Sequence, residues 1–354
     1  MIRVESNIKH RITGMVALSA VVALVAGGCA SADGPARPSS SPGPTTAAAE
    51  VANEALVERA EPLVKRVPYT TRGQGDPAQN WGDLYLPAGQ HAAGSVPMVV
   101  LIHGGSWESQ LGAEVLSSYA RDLVDRGMAV YNIEYRRVGS GGGWPTTFHD
   151  VADALDHVVK LNEQHPEFTI DDELVVGHSA GAQLAMWAGT RHALNDDEVG
   201  NSPKFRPTRV VSLAGPLDMR YAATHGDSRI VTVLGGPPEQ VPDRYRSVDP
   251  IQNIDPNVPV VAIHGTADTM VAPANSERFT TSVKKFGGSG GLTLAESEDH
   301  VSVVSDDSPW YPSILDIITE TSGKAVDELR ATHSNQMGQG RSIQFGPACH
   351  HTSR

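Results

Sequence analysis

The sequence predicts an α/β fold: a mostly parallel central sheet with helices on both faces. Three observations predict it. Apolar strand-like runs alternate with helix-patterned segments along most of the 354 residues. Residues 97–103 (PMVVLIH) are apolar almost without a break, as expected of a strand covered on both faces. Residues 174–185 (LVVGHSAGAQLA) pass from a short apolar run through a glycine-flanked serine into a small-residue helix. In such sheets the reacting groups gather at the carboxyl ends of the strands.

The chain opens with a segment outside this fold. Arg3, Lys9 and Arg11 make a basic start, and residues 15–28 are uncharged, apolar and small. That stretch is too short to span a bilayer comfortably and reads as an export signal covering residues 1–28. Cys29 follows Ala26, Gly27 and Gly28, an order that resembles a bacterial lipobox, in which the cysteine is lipidated. Residues 29–59 are rich in Ala, Ser, Pro, Gly and Thr through position 49 and read as a flexible tether. The expected product is exported and held at the membrane by an N-terminal lipid, with plain secretion as the alternative.

A catalytic domain over residues 60–323 follows, about 265 residues, enough for one large α/β unit. Residues 63–70 and 81–86 suit an antiparallel pair at a sheet edge. Strands are then expected at 97–103, 128–135, 174–176, 210–214, 258–264 and 292–296. Helices are expected at about 112–126, 150–164, 275–286 and 309–321. In the second of these, Val151, Ala154, Leu155 and Val158 recur at helical spacing. Residues 215–257 read as rich in loop, and 324–354 as a disordered tail that takes Cys349, His350 and His351 with it. No internal repeat is present.

Composition narrows the partners. The formal charge is −13, and loss of three cations and one anion with residues 1–28 leaves −15. An acidic exported chain is a poor nucleic-acid binder. Cys29 and Cys349 both fall outside the expected core, so neither a structural disulfide nor a metal centre is expected. No cofactor is implied, and the oligomeric state is not legible.

The chemistry starts at Gly177-His178-Ser179-Ala180-Gly181, a G-x-S-x-G turn. The turn is so tight that side chains two residues either side would collide, so both positions are glycine. A serine hydroxyl needs a base within hydrogen-bond reach, and the base needs an orienting acid. Asp268 follows the strand-like run 260–264, and His300 lies just past the last expected strand. Asp218 competes with Asp268 for the acid, which could instead cap the helix after its loop. His103 and His264 end buried strands and read as structural, while His178 is held in the turn facing away from the hydroxyl.

Four motifs in order carry a resemblance: His103-Gly104-Gly105-Ser106-Trp107, Gly177 to Ala182, His264-Gly265-Thr266-Ala267-Asp268, and Asp299-His300. With Asp249-Pro250-Ile251 as a further match, the chain over about residues 63–322 resembles the α/β-hydrolase superfamily. More narrowly it resembles the small carboxylesterases with an HGG loop, the BD-FAE-type and kynurenine formamidase-like members. The resemblance implies the α/β-hydrolase fold and a catalytic triad of Ser179, Asp268 and His300. It implies an oxyanion hole from the Ala180 N–H and an N–H of the HGG loop, with Gly105 and Ser106 as candidates. Trp107, beside that loop, is expected to line the substrate pocket, and Trp187 to sit in the core. Trp144 could serve either purpose, and the glycine-rich stretch 139–143 reads as a mobile loop. The activity implied is a serine carboxylesterase acting on small or medium acyl esters. An aryl formamidase is the alternative, and a catalytically silent binding module is disfavoured because no triad member is missing.

Overall fold

The structure, a computed structural model, describes residues 56–330 apart from 172. The expected signal, the lipidation site at Cys29 and most of the tether lie outside the described residues, as do residues 331–354.

Eight strands form the central sheet. In chain order they are β2 (Leu63–Pro68), β3 (Trp81–Leu86), β5 (Met98–Ile102), β6 (Ala129–Ile133), β7 (Leu174–His178), β8 (Arg209–Leu213), β9 (Val260–Gly265) and β10 (Gly290–Ala295). Their spatial order is β10-β9-β8-β7-β5-β6-β3-β2. Every pairing from β10 to β6 is parallel; β3 joins antiparallel to β6, and β2 antiparallel to β3 at the edge. Two short strands the sequence did not signal, β1 (Val57–Arg59) and β4 (Gly89–His91), pair antiparallel with each other. At three residues each they are too short to show a pattern.

The continuous apolar runs have the expected cause. Each residue of β5, β6, β7, β8 and β9 is buried, because helices cover both faces of the sheet. β5 shows the division. Met98, Val100 and Ile102 point into one core, with α2 (Thr146–Gln164), α3 (Ala180–Thr190) and α7 (Ala274–Lys285). Val99 and Leu101 point into the other, with α1 (Ser117–Asp125) and α8 (Tyr311–Gly323). Burying one such side chain stabilises the fold by about 1.5–3 kcal/mol, so this five-residue strand anchors both cores. All of α3 is buried, which explains why it shows no polar face in the sequence.

Three expectations need correction. The stretch 215–257, expected to be rich in loop, also holds three helices the sequence did not signal: α4 (Met219–Thr224), α5 (Ser228–Leu234) and α6 (Pro242–Val248). These helices have six or seven residues each, too few for a 3.6-residue period to stand out. Next, α2 begins at Thr146, a turn ahead of position 150, because Phe148 is buried there among polar neighbours. Finally, the tail does not begin at 324. Residues 326–330 are helical, Leu329 is buried, and its carbonyl accepts a hydrogen bond from the Ser289 hydroxyl (3.2 Å).

Candidate active site

The turn from β7 into α3 puts Ser179 at φ 55°, ψ −120°, a strained conformation for a residue with a side chain. The flanking glycines are needed, but not because they would strike the serine. A Cβ on Gly177 would lie 2.1 Å from the Gly181 carbonyl oxygen, and one on Gly181 would lie 2.1 Å from that of Ile102. The glycines therefore let α3 start directly against the ends of β5 and β7, which lifts the serine above the sheet.

The structure brings Ser179, His300 and Asp268 together. The Ser179 hydroxyl lies 2.8 Å from His300 Nε2, and His300 Nδ1–H donates to Asp268 Oδ2 at 2.7 Å. All three are nearly buried, at 5–7% exposure, so their interactions escape most solvent screening. Asp268 does not cap the helix after its loop, since α7 starts at Ala274 behind Pro273 with no side-chain cap; it closes a turn within the loop instead. Its Oδ1 accepts the backbone N–H groups of Met270 and Val271, while its Oδ2 faces His300. His264 adds a second imidazole, with Nε2 3.2 Å from Asp268 Oδ2 and 2.8 Å from the Val271 carbonyl. Burial alone would raise the Asp268 carboxyl. The hydrogen bonds from His264, His300 and the Val271 N–H outweigh it and hold the carboxyl well below the usual range. An ionised Asp268 fixes the His300 tautomer with its proton on Nδ1, leaving Nε2 free to accept from the serine.

Asp218, the competing acid, is occupied elsewhere. Its Oδ1 caps α4 through the Tyr221 N–H (3.0 Å), and its Oδ2 pairs with Arg278 at 2.7 Å. Asp249 is fully buried and accepts the N–H groups of Met219 and Arg220, so the Asp249-Pro250-Ile251 match serves to hold α4. His103 sits under the HGG loop. One ring nitrogen lies 3.0 Å from Glu134 Oε1, the other 2.6 Å from the Gly104 carbonyl, and the ring stacks on Tyr135. Glu134 in turn accepts the Ala113 N–H and pairs with Arg137. Sequence reasoning passed over this buried Glu134–Arg137 support. Its signal was charge in the segment straight after an apolar strand.

The HGG loop itself is strained. Gly105, Ser106 and Trp107 have φ of 108°, 60° and 56° in succession, and two of the three carry a Cβ. Gly104 lies against the elbow: a Cβ there would meet Ser179 Cβ at 2.9 Å. Among the described residues, the N–H groups of Gly105, Ser106 and Ala180 form no hydrogen bond outside the regular helix and strand ladders. The loop thus passes directly beside the serine.

Trp107 is a correction. It is only 2% exposed and packs in the core with α2 and α3 rather than lining an open pocket. The left-handed turn at Ser106 and Trp107 directs the chain inward, which adjacency in sequence could not reveal. Trp187 is fully buried, as expected for the elbow helix, and Trp144 packs half-buried against Phe148. Around the site the exposed apolar residues are Leu111 on the HGG loop, Met270 beside Asp268 and Val301 beside His300.

A family model described as BD-FAE matches residues 83–283. The chain is similar to an isoprenylcysteine alpha-carbonyl methylesterase of Arabidopsis thaliana, 24% identical over 249 residues. That match covers 66% of this chain and 56% of the relative, so the chain spans little more than half of the relative's length. Among solved structures it is similar to esterase B of Lactobacillus rhamnosis, at 20% identity and a TM-score of 0.62, covering 80% of this chain and 91% of that one. A truncated carbohydrate esterase from gut microbiota matches at 21% identity and a TM-score of 0.60, covering 73% and 97%. The structural likenesses show that the fold is the α/β-hydrolase fold.

Proposed function

The chain belongs to the BD-FAE family, a family of α/β-hydrolases, and from that premise we propose that it is a serine carboxylesterase acting on small or medium acyl esters. The observation that carries this reading is the unbroken chain Ser179–His300–Asp268, with hydrogen bonds of 2.8 and 2.7 Å. Ser179 Oγ attacks the ester carbonyl while His300 Nε2 takes its proton. Asp268 holds the imidazole and stabilises the imidazolium that forms. Amides of Ala180 and of Gly105 or Ser106 receive the charge that develops on the carbonyl oxygen, worth about 3–4 kcal/mol per donor in comparable sites. His300 returns the proton to the leaving alcohol, and water then releases the acyl group by the same route.

Two further observations support an ester with an apolar acyl group. Leu111, Met270 and Val301 stand exposed on the three loops that carry the site. The proteins it is similar to are a methylesterase and esterases, which supports the ester itself. A panel of acyl esters of graded length, with N-formylkynurenine beside it, tests the reading. Short esters should give the higher kcat/KM, and a higher value on N-formylkynurenine than on every ester would move the assignment to an aryl formamidase.

We also propose that the chain is exported through residues 1–28 and anchored by a lipid on Cys29. The basic start, the apolar run and the small residues before Cys29 support this. Expressed in a bacterium, the full chain should partition into detergent and Cys29→Ser should not. An unmodified mature N-terminus elsewhere, found by mass spectrometry, would reject the anchor.

A further inference from the structure

His178 takes no part in the chemistry proposed above, yet its side chain touches the other two parts of the site. It precedes the nucleophile in the chain. Its Nε2–H donates to the backbone carbonyl of His300 at 2.9 Å. On its other side the ring abuts the HGG loop: a Cβ on Gly104 would lie 2.9 Å from His178 Nδ1. The two imidazoles are neighbours, with ring centroids 5.1 Å apart and planes at 42°. His178 is 8% exposed. Burial, and then the charge on His300, push its pKa down to about 4, so it stays neutral at ordinary pH and its one proton sits on the nitrogen that faces the carbonyl.

Resting on the esterase reading, we propose that His178 is the positioning residue that locks the His300 loop in register with the elbow and the HGG loop. The loop has ties of its own, the Ala267 N–H to the Glu298 carbonyl and the Val301 and Ser302 N–H groups to the Asp299 carboxylate, but these reach the residues beside His300 and none comes from the elbow. His300 is followed by Val301, 63% exposed, and a single 3-10 turn at Ser302–Val304. Asp268 holds only the ring of His300, and a ring held at its tip can still swing about a backbone that drifts. The His178 hydrogen bond fixes that backbone from the residue next to the nucleophile, so the base and Ser179 move together. A displacement of about 1 Å in such a geometry costs on the order of a hundredfold in rate. The same ring, in contact with Gly104, sets the HGG loop's distance from Ser179.

The test separates the hydrogen bond from the space the ring fills. His178→Leu keeps apolar bulk and loses the donor, while His178→Gln carries an amide N–H to about the same place. His178→Leu should lower kcat on a soluble short ester by about a hundredfold with KM changed less than about threefold, and His178→Gln should recover most of the loss. The rate of fluorophosphonate labelling should fall and recover in parallel. A kcat for His178→Leu within about twofold of the parent, or a His178→Gln as slow as His178→Leu, overturns the proposal. Should the leucine variant not fold, His178→Asn replaces it, since its amide is too short to reach the carbonyl. It should then be slow where His178→Gln is not, and equal rates overturn the proposal. Ser179→Ala runs alongside. If that variant keeps its turnover, the esterase reading fails, and this result does not depend on His178.

Discussion

Asp218 and Asp268 stand past the carboxyl ends of neighbouring strands, β8 and β9, and do the same local job. Each accepts on Oδ1 the N–H of the residue three positions on, Tyr221 in one case and Val271 in the other. Each offers Oδ2 to a cationic or basic side chain at 2.7 Å. The difference lies in who arrives. Arg278, from α7, is half exposed, and its pair with Asp218 is screened by solvent. His300 arrives from the loop after β10 into a site where the Asp268 carboxylate is fully covered. Turn chemistry alone therefore does not distinguish a structural aspartate from the one assigned to the proposed triad. The partner does, and the partner is set by how the sheet is ordered.

The largest expected effect removes the group that only one of the two aspartates serves. Ser179→Ala should cut kcat by about 10⁶-fold and leave the fold intact, read as loss of ester turnover with an unchanged melting temperature. Near-parental turnover would make the comparison meaningless. Next, Asp268→Asn should cost about 10⁴-fold in kcat, because the amide no longer fixes the His300 tautomer. Asp218→Asn sharpens the contrast. It keeps a capping oxygen and loses only a screened ion pair, so kcat should hold within about threefold and stability should fall by about 1 kcal/mol or less, measured by denaturant titration. If the Asp218 variant were the slower one, the assignment of the acid would be reversed.

A third carboxylate carries the comparison from turnover to stability against pH. Burial raises Asp249 to about 6, whereas Asp268 is held low, so the two have opposite signs. A raised acid contributes stability below its ordinary value and loses it as pH climbs through about 6; a depressed one loses its contribution as pH falls below the ordinary carboxylate range. Asp249→Asn should remove a decline in stability between about pH 4 and pH 6, of at most about 1.4 kcal/mol per pH unit. Thermal melts across that range would show it, and parallel curves for parent and variant would count against it.

Much of this was legible in the sequence because its causes are local. The buried strands are continuous apolar runs, and the serine turn needs glycines whatever surrounds it. Ser179, Asp268 and His300 stand out because each ends a strand or begins its loop. The remainder depends on contacts between distant segments. Trp107 faces inward because two left-handed residues turn the loop, and no residue pattern encodes that turn. Gly177 answers to the first turn of α3 and Gly181 to the neighbouring strand β5, rather than to the serine between them. His178 acts on a carbonyl 122 positions away. The short helices of 219–248 form because Met219, Ile230, Leu234 and Tyr245 pack into the core, not because their own sequence insists.

The site closes across a parallel sheet, and that arrangement bears on folding. Ser179 and His300 are 121 residues apart, and the strand that leads to His300 is the outermost parallel one. Parallel strands cannot be joined by a hairpin, so each added strand requires a long loop to be closed before its contacts form. Folds dominated by such distant pairings are slow to assemble. The hydrogen bond between base and nucleophile requires β7, β8, β9 and β10 all to be docked. Recovered turnover after dilution from denaturant should therefore report that this whole half of the sheet has docked, and a chain arrested one strand short would carry every residue of the proposed triad and hydrolyse nothing.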